Sequence, residues 1–192
     1  MRAAFGLRAH SGWAVLVAAA GSVDDPHVLE RRRIVIADPE MSGSRQPYHT
    51  AAELPLAEAG ELVRRAVESS RALALEAISA QLRELRSRGH PVEAYAVLCR
   101  SGKPLPELGK VLESHALIHT AEGQMFREAL LWAGRECGLN VTAVPEKELG
   151  TEALRRIGSL GKAIGPPWTQ DQKFATLAAL VSLQAGVRSK PA

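Results

Sequence analysis

Residues 114–128, SHALIHTAEGQMFRE, combine side chains that can do chemistry with a spacing typical of a helix. His115 and His119 are four residues apart, and Glu122 follows three residues later. On a helix this spacing places all three on one face, and two imidazoles with one carboxylate can bind a transition metal such as zinc. The pattern differs from HExxH, and a helix start predicted near Thr120 argues against one continuous face.

Two other interpretations of this stretch stay open. A helix N-terminus offers free N–H groups and the positive end of the helix dipole, which together bind a phosphate, a nucleotide or a nucleic-acid backbone. Alternatively, His119 and Thr120 cap the helix, Glu122 lies in its first turn, and His115 is a core or surface histidine with its hydrogen bonds satisfied. The residues alone therefore leave a metal site, an anion site and a purely structural role as alternatives.

The composition is that of an ordinary globular domain. Of the 192 residues, 46% are hydrophobic and 23% are charged, so a core can form without disulfides. The net charge of +3 permits a polyanionic partner without requiring one. The two cysteines, Cys99 and Cys137, form no paired motif, which is expected of reduced thiols in the cytoplasm.

The first 21 residues have the outline of a secretory signal peptide, with basic residues, a short apolar run and small residues at its end. Residues 5–10, however, alternate between apolar and polar or small side chains, and this period indicates a strand. We therefore predict two strands here. No run is long enough for a transmembrane helix, so no membrane partner is expected.

Apolar periodicity and the positions of Gly and Pro predict the element order β-β-β-α-β-α-β-α-α. The predicted strands are residues 2–9, 13–20, 27–37, 92–99 and 139–144, and the main predicted helices are 56–88, about five turns ending at Cys137, 146–160 and 169–184. Residues 38–55 are predicted as a loop. The order predicts an α/β domain with a mixed five-stranded sheet, its last strands parallel to the first, and helices on both faces. We expect one domain over residues 1–186 and a disordered tail over 187–192.

This element order resembles the ribonuclease-H-like fold, and three short strings resemble its RuvC-type branch. In that branch the first strand and turn read roughly G-[IL]-D-P-G, followed by G-[WY]-[AG]-V. Here residues 6–11 read GLRAHS and residues 12–15 read GWAV. The fourth strand, which ends near a Glu in the family, reads AYAVLC over residues 94–99, and the last helix reads DQKFATLAAL over residues 171–180. The resemblance covers most of the chain as topology.

The acidic residues that the resemblance implies are largely missing. Nucleases of this fold hold two metal ions with three or four carboxylates. Arg8 takes the position of the first-strand Asp, an apolar residue near Leu98 takes that of the fourth-strand Glu, and only Asp171 keeps its type. One carboxylate cannot hold two magnesium ions, because hard cations need several oxygen ligands. A standard two-magnesium site is therefore not expected, and any other cofactor is unknown.

Crevices form at the carboxyl ends of parallel strands, and we expect the site there. The candidate catalytic residues are His115, His119, Glu122 and Asp171, and the candidate ligand-binding residues are Arg8, His10, Ser11, Arg100 and Lys173. We predict a non-nuclease domain that binds an anionic ligand, a nucleotide or a nucleic acid, at the helix N-terminus near His119. The alternatives are a hydrolase of unfamiliar type that uses the candidate catalytic residues, with or without a metal, and a structural or regulatory interaction protein. The residues also leave open whether the chain forms a homodimer.

Two further features have simple structural interpretations. Cys99 would need a neighbouring imidazole to become a nucleophile, whereas a cysteine at the end of an apolar strand usually belongs to the core. The arginine run at residues 31–33 either follows a nucleic acid or protects an edge strand from aggregation, and we favour the second interpretation.

Overall fold

A mixed five-stranded sheet organises the chain in this computed structural model, which describes residues 1–100 and 102–188. Its strands are β1 (Ala3–His10), β2 (Trp13–Gly21), β3 (Pro26–Val35), β4 (Val92–Cys99) and β5 (Asn140–Pro145). The strand order is β3-β2-β1-β4-β5, with β1, β2 and β3 antiparallel and with β4 and β5 parallel to β1. The predicted fold class and the parallel direction of the last strands are confirmed.

The helices follow the predicted order, with additions between the main ones. They are α1 (Pro47–Ala51), α2 (Leu56–Ser87), α3 (Leu108–Leu112), α4 (His115–Glu136), α5 (Thr151–Ser159), α6 (Gly161–Ile164) and α7 (Gln170–Arg188), with a 3₁₀ turn at Glu146–Glu148. The segment predicted as a loop, residues 38–55, thus contains α1. α7 includes residues 187 and 188, which were expected in the tail, and residues 189–192 lie outside the described residues.

The start of α4 differs from the prediction. The helix begins at His115 rather than near Thr120, because the Ile118 amide already donates to the Ser114 carbonyl at 2.9 Å. Ile118 is buried, so packing holds this first turn in the helix. The Thr120 hydroxyl donates to the Ala116 carbonyl at 2.9 Å, one turn back within the helix. Thr120 is therefore an interior residue and not a cap.

The two faces of the sheet carry different cores. On one face, large side chains of β1 and β4 such as Phe5, Leu7 and Tyr95 pack with residues of α2 and α4. On the other face the strands present mainly alanines, α7 packs against them, and α5 packs against α7. Small side chains allow a helix to approach the sheet closely, and this positions the start of α7 beside the carboxyl end of β1.

Arginines 31–33 lie on β3, which is an edge strand as predicted. Arg31 donates to three carbonyl oxygens within residues 164–167, at distances of 2.7 to 2.9 Å. Arg32 pairs with a glutamate of α2 at 3.1 Å, and the Arg33 guanidinium lies 4.1 Å from the centre of the Trp13 ring. Arg31 and Arg32 therefore connect the edge strand to other elements of the domain, and Arg33 packs on its neighbouring strand.

Tyr95 carries a buried polar contact that can be tested directly. Its side chain is fully buried on β4, and its hydroxyl donates to the Leu130 carbonyl of α4 at 3.0 Å. Burial also raises the pKa of this hydroxyl. We expect Tyr95→Phe to lower the free energy of unfolding by about 1 kcal/mol in urea denaturation, because one buried hydrogen bond is lost.

Tyr48→Phe is the matched control for this measurement. Tyr48 is half-buried, and no partner in the described part of the chain hydrogen-bonds its hydroxyl. The free energy of unfolding of Tyr48→Phe should differ from that of the wild type by no more than about 0.5 kcal/mol. Equal losses in the two variants would contradict the assigned role of the Tyr95 hydroxyl.

The described helices include none that is long and apolar enough to cross a membrane.

Candidate functional site

A cleft of about 260 Å³ opens at the carboxyl ends of β1 and β4, beside the N-terminal half of α4. Six of the predicted site residues line it: Arg8, His10, Ser11, Arg100, His119 and Glu122. Three others were predicted. Asp171 contacts Arg8, His115 contacts His119, and Lys173 of α7 is not among the described residues that line the cleft. The remaining lining includes Cys99, Arg127 and Glu146.

Arg8 lies between two carboxylates. Its Nε and Nη2 atoms donate to the two oxygens of Glu146 at 3.1 and 3.2 Å, and Nη1 donates to Asp171 Oδ1 at 2.9 Å. Arg8 lies near the end of β1, Glu146 in the turn after β5, and Asp171 in the first turn of α7. The charge of Arg8 is therefore balanced within the protein, so Arg8 is better placed to join three elements than to bind a ligand anion.

His10 occupies the same region with a constrained ring. It stacks on Trp13 with ring centres 4.1 Å apart and planes 10° apart. Its buried Nε2 atom lies 3.1 Å from Asp171 Oδ2, but the contact does not have the geometry of a hydrogen bond. Asp171 therefore faces Arg8 with one oxygen and His10 with the other.

Arg127 and Arg100 are cations of the cleft that make no close ion pair with a carboxylate of the described residues. Neither guanidinium has a hydrogen bond, or a carboxylate within 4.0 Å, in residues 1–100 and 102–188. Arg127 is half-buried in α4, and burial is the main cause that lowers its pKa. A guanidinium stays charged at neutral pH even so. The carboxylates of Glu128 and Glu146 act on Arg127 at longer range and offset the effect of burial only in part. A partly desolvated guanidinium with no hydrogen-bonded carboxylate favours an anionic ligand.

Three histidines converge beside the cleft. His49 on α1 meets His115 and His119 on successive turns of α4, and one nitrogen of each lies within 4.8 Å of those of the other two. In the part of the chain that the structure describes, no other group of three potential metal-binding side chains is this close. Glu122, whose side chain is 3% exposed, accepts a hydrogen bond from His49 Nδ1 at 2.9 Å.

These contacts correct two predictions about the opening stretch. The potential metal ligands predicted from the sequence were His115, His119 and Glu122. In the structure the group of three contains His49 instead of Glu122, and the Glu122 carboxylate is hydrogen-bonded to His49. The predicted anion site at a helix N-terminus near His119 is displaced too, because α4 begins at His115 and His119 lies in its second turn. Glu122 is likewise beyond the first turn, so it does not face the free N–H groups.

Cys99 lies on the rim of the cleft as a neutral thiol. Burial raises the pKa of this thiol, and the Arg127 guanidinium opposes the shift only in part. A thiol with a raised pKa is a poor nucleophile. The structure therefore supports the interpretation of Cys99 as a structural residue at the end of β4.

Three residues of the site were missed from the sequence. Glu146 directly follows a parallel strand, and that position was a usable signal. Arg127 lies on the predicted helix of α4, two turns after His119, and its spacing was also visible. His49 had no comparable signal, because its position depends on how the segment before α2 packs against α4.

Similarity to solved structures identifies the fold. No family profile matches the sequence, and neither does any curated protein. Thermus thermophilus RuvC in complex with a Holliday junction substrate is similar, with a TM-score of 0.56, 16% identity, and coverage of 98% of this chain and 97% of that one. A second Thermus thermophilus RuvC structure has a TM-score of 0.50 and 18% identity, with 93% and 91% covered. The chain therefore has the ribonuclease-H-like fold in a RuvC-like arrangement.

Proposed function

We propose that this chain is a nucleic-acid-binding domain whose cleft binds the phosphate backbone and does not cleave it by a two-magnesium mechanism. The observation that carries the proposal is the half-buried Arg127 guanidinium, which faces the cleft and makes no hydrogen bond or close ion pair with a carboxylate of the described residues. Removing a guanidinium from water without a partner costs free energy, which a bound phosphate recovers through charge-assisted hydrogen bonds. Arg100 adds a second cation on the same rim.

The size of the cleft favours a backbone over a complete small ligand. Its volume of about 260 Å³ lies below the roughly 300–1,000 Å³ of typical small-molecule sites, whereas a single phosphate needs little room. The similarity to a RuvC structure bound to a Holliday junction supports nucleic acid as the polymer. A free nucleotide that binds more tightly than an oligonucleotide would contradict this choice.

The side chains of the cleft do not favour two-magnesium chemistry. Arg8 fills the space between Glu146 and Asp171, so a guanidinium already balances both carboxylates. The other carboxylate that lines the cleft, that of Glu122, is directed to His49. Over residues 1–100 and 102–188, no three carboxylates bring their oxygens within 4.8 Å of one another. Two-metal catalysis needs such convergence, because each magnesium requires several oxygen ligands.

A reducing compartment such as the cytoplasm fits this function. Cys99 and Cys137 are both free thiols in the structure. Free thiols persist where glutathione and thioredoxin keep them reduced, which is also where nucleic acids are found.

Arg127→Gln tests the proposal by fluorescence anisotropy with labelled single-stranded, duplex and four-way-junction DNA. We expect binding to weaken about tenfold, because one desolvated phosphate contact is lost. The slope of log K against log salt should fall by about one, because one fewer phosphate is neutralised. The loss should be similar for different base sequences of the same shape.

Arg135→Gln is the matched control. Arg135 is exposed near the end of α4, and the substitution changes the net charge by the same amount. Its effect on binding should be less than about twofold. Equal weakening in both variants would show that only overall charge matters, and wild-type protein that binds none of the DNA forms would overturn the proposal. Magnesium-dependent cleavage by the wild-type chain would overturn its non-nuclease part.

A further inference from the structure

We infer that His49, His115 and His119 form a binding site for one divalent transition metal of the zinc class, with Glu122 as a positioning residue. The inference goes beyond the proposed function, because the site needs no nucleic acid to form. It rests on the convergence of three nitrogen donors from α1 and α4 and on the buried carboxylate behind one of them.

The geometry of the rings suits a shared ion. The ring centres of the three histidines lie 4.4 to 5.3 Å apart, and the ring planes cross at 65° to 82°. Imidazoles that meet edge to face can direct nitrogen lone pairs to a common point. Bonds of 2.0–2.1 Å in a tetrahedral site place donors about 3.3 Å apart. The donors here lie within 4.8 Å of one another, so small side-chain rotations suffice to bind the ion.

Glu122 sets the orientation of one ligand. Its Oε1 atom accepts from His49 Nδ1 at 2.9 Å and from the His49 amide at 3.2 Å. An ionised carboxylate only accepts hydrogen bonds, so beside it a neutral His49 carries its proton on Nδ1, and Nε2 keeps its lone pair for a metal. This carboxylate–histidine pair is the arrangement that commonly supports metal ligands. A metal bound to His49 would also balance the buried charge of Glu122.

The donor set selects the class of metal. Three imidazoles suit Zn²⁺, Co²⁺, Ni²⁺ or Cu²⁺, whereas Mg²⁺ and Ca²⁺ prefer oxygen donors. Three protein ligands leave a fourth position free, as in zinc sites that bind a water or a substrate oxygen. His115 and His119 are exposed, and His119 also lines the cleft, so this open position lies beside the proposed phosphate path.

Titration of Zn²⁺ and Co²⁺ into the full chain, purified without a polyhistidine tag and stripped with a chelator, tests the inference. Calorimetry should give one equivalent of Zn²⁺ per chain, and Co²⁺ should give the intense visible absorption of a four-coordinate ion. His115→Ala and His119→Ala should each abolish stoichiometric binding. Both residues are exposed, so these variants should keep the circular dichroism spectrum of the wild-type fold.

Two further variants make the test specific. His27→Ala removes a histidine on β3 away from the cluster and should bind zinc with wild-type affinity. Glu122→Gln keeps the shape of the side chain and should weaken zinc binding about 10- to 100-fold, as removal of supporting carboxylates does elsewhere. A substoichiometric wild-type titration, or unchanged affinity in His115→Ala and His119→Ala, would overturn the inference. Unchanged affinity in Glu122→Gln would overturn its positioning role.

The zinc titration and the DNA-binding measurement can fail independently of each other. Zinc binding is measured without DNA, and DNA binding is measured in the presence of chelator. Loss of either property leaves the other measurement intact, because Arg127 is not part of the histidine cluster.

Discussion

Gly6→Val is expected to destabilise the fold by more than about 3 kcal/mol. A Cβ atom at Gly6 would lie 1.8 Å from the Ala175 carbonyl oxygen and 3.0 Å from the Ala179 amide nitrogen, both in the backbone of α7. A side chain can rotate away from a clash, but a helix backbone must move as a body. The substitution would thus separate α7 from β1. The core that α7 forms with the alanines of the sheet would lose its packing.

The measurement is equilibrium unfolding in urea, followed by circular dichroism. A loss of this size is a large part of the roughly 5–15 kcal/mol of a typical domain, so partial unfolding at 25 °C is also expected. Gly186→Ala on α7 is the control, because a Cβ there would meet nothing within 4 Å in the described structure. Its stability should be equal to that of wild type or up to about 1 kcal/mol higher, from improved helix propensity. If the urea concentration at the midpoint of unfolding of Gly6→Val is close to that of the wild type, α7 does not pack on β1 as described.

Arg8→Gln is expected to lower the free energy of unfolding by about 2 kcal/mol at neutral pH. Removing one partner of a buried ion pair typically costs about 3–5 kcal/mol, because the other charge is left unpaired. The side chains here are 18%, 21% and 25% exposed for Arg8, Asp171 and Glu146, so water screens part of this cost. The effect remains large because two carboxylates lose the same partner.

A second substitution identifies the cause. Asp171→Asn in the Arg8→Gln background removes one unpaired charge and should restore about 1 kcal/mol in the same denaturation experiment. Arg2→Gln is the control, because Arg2 is 52% exposed and pairs with Glu93 at 3.4 Å. Such an exposed pair contributes at most about 1 kcal/mol. An Arg8→Gln effect no greater than that of Arg2→Gln would show that the Arg8 contacts do not join β1, β5 and α7.

The elements of the fold could be predicted from the sequence because their signals are local. Alternation of side chains indicated β1, an apolar run placed β4 at residues 92–99 as observed, and helical spacing with a glycine stop placed α2 to within one residue at its end. The element order then limited the topology, and the topology placed the carboxyl ends of β1 and β4 at one edge. Arg8, His10, Ser11 and Arg100 were therefore expected together, and they line one cleft.

The partners within the site depended on the tertiary structure. Whether Arg8 binds a ligand or a protein carboxylate depends on Glu146, which is 138 residues away along the chain. Whether Glu122 binds a metal or supports a ligand depends on His49, which is 73 residues away. Helical spacing correctly paired His115 with His119 because four residues make about one turn. Spacing cannot bring His49 to them, because that contact exists only when α1 packs against α4, and packing between distant segments leaves no periodic signal in a single sequence.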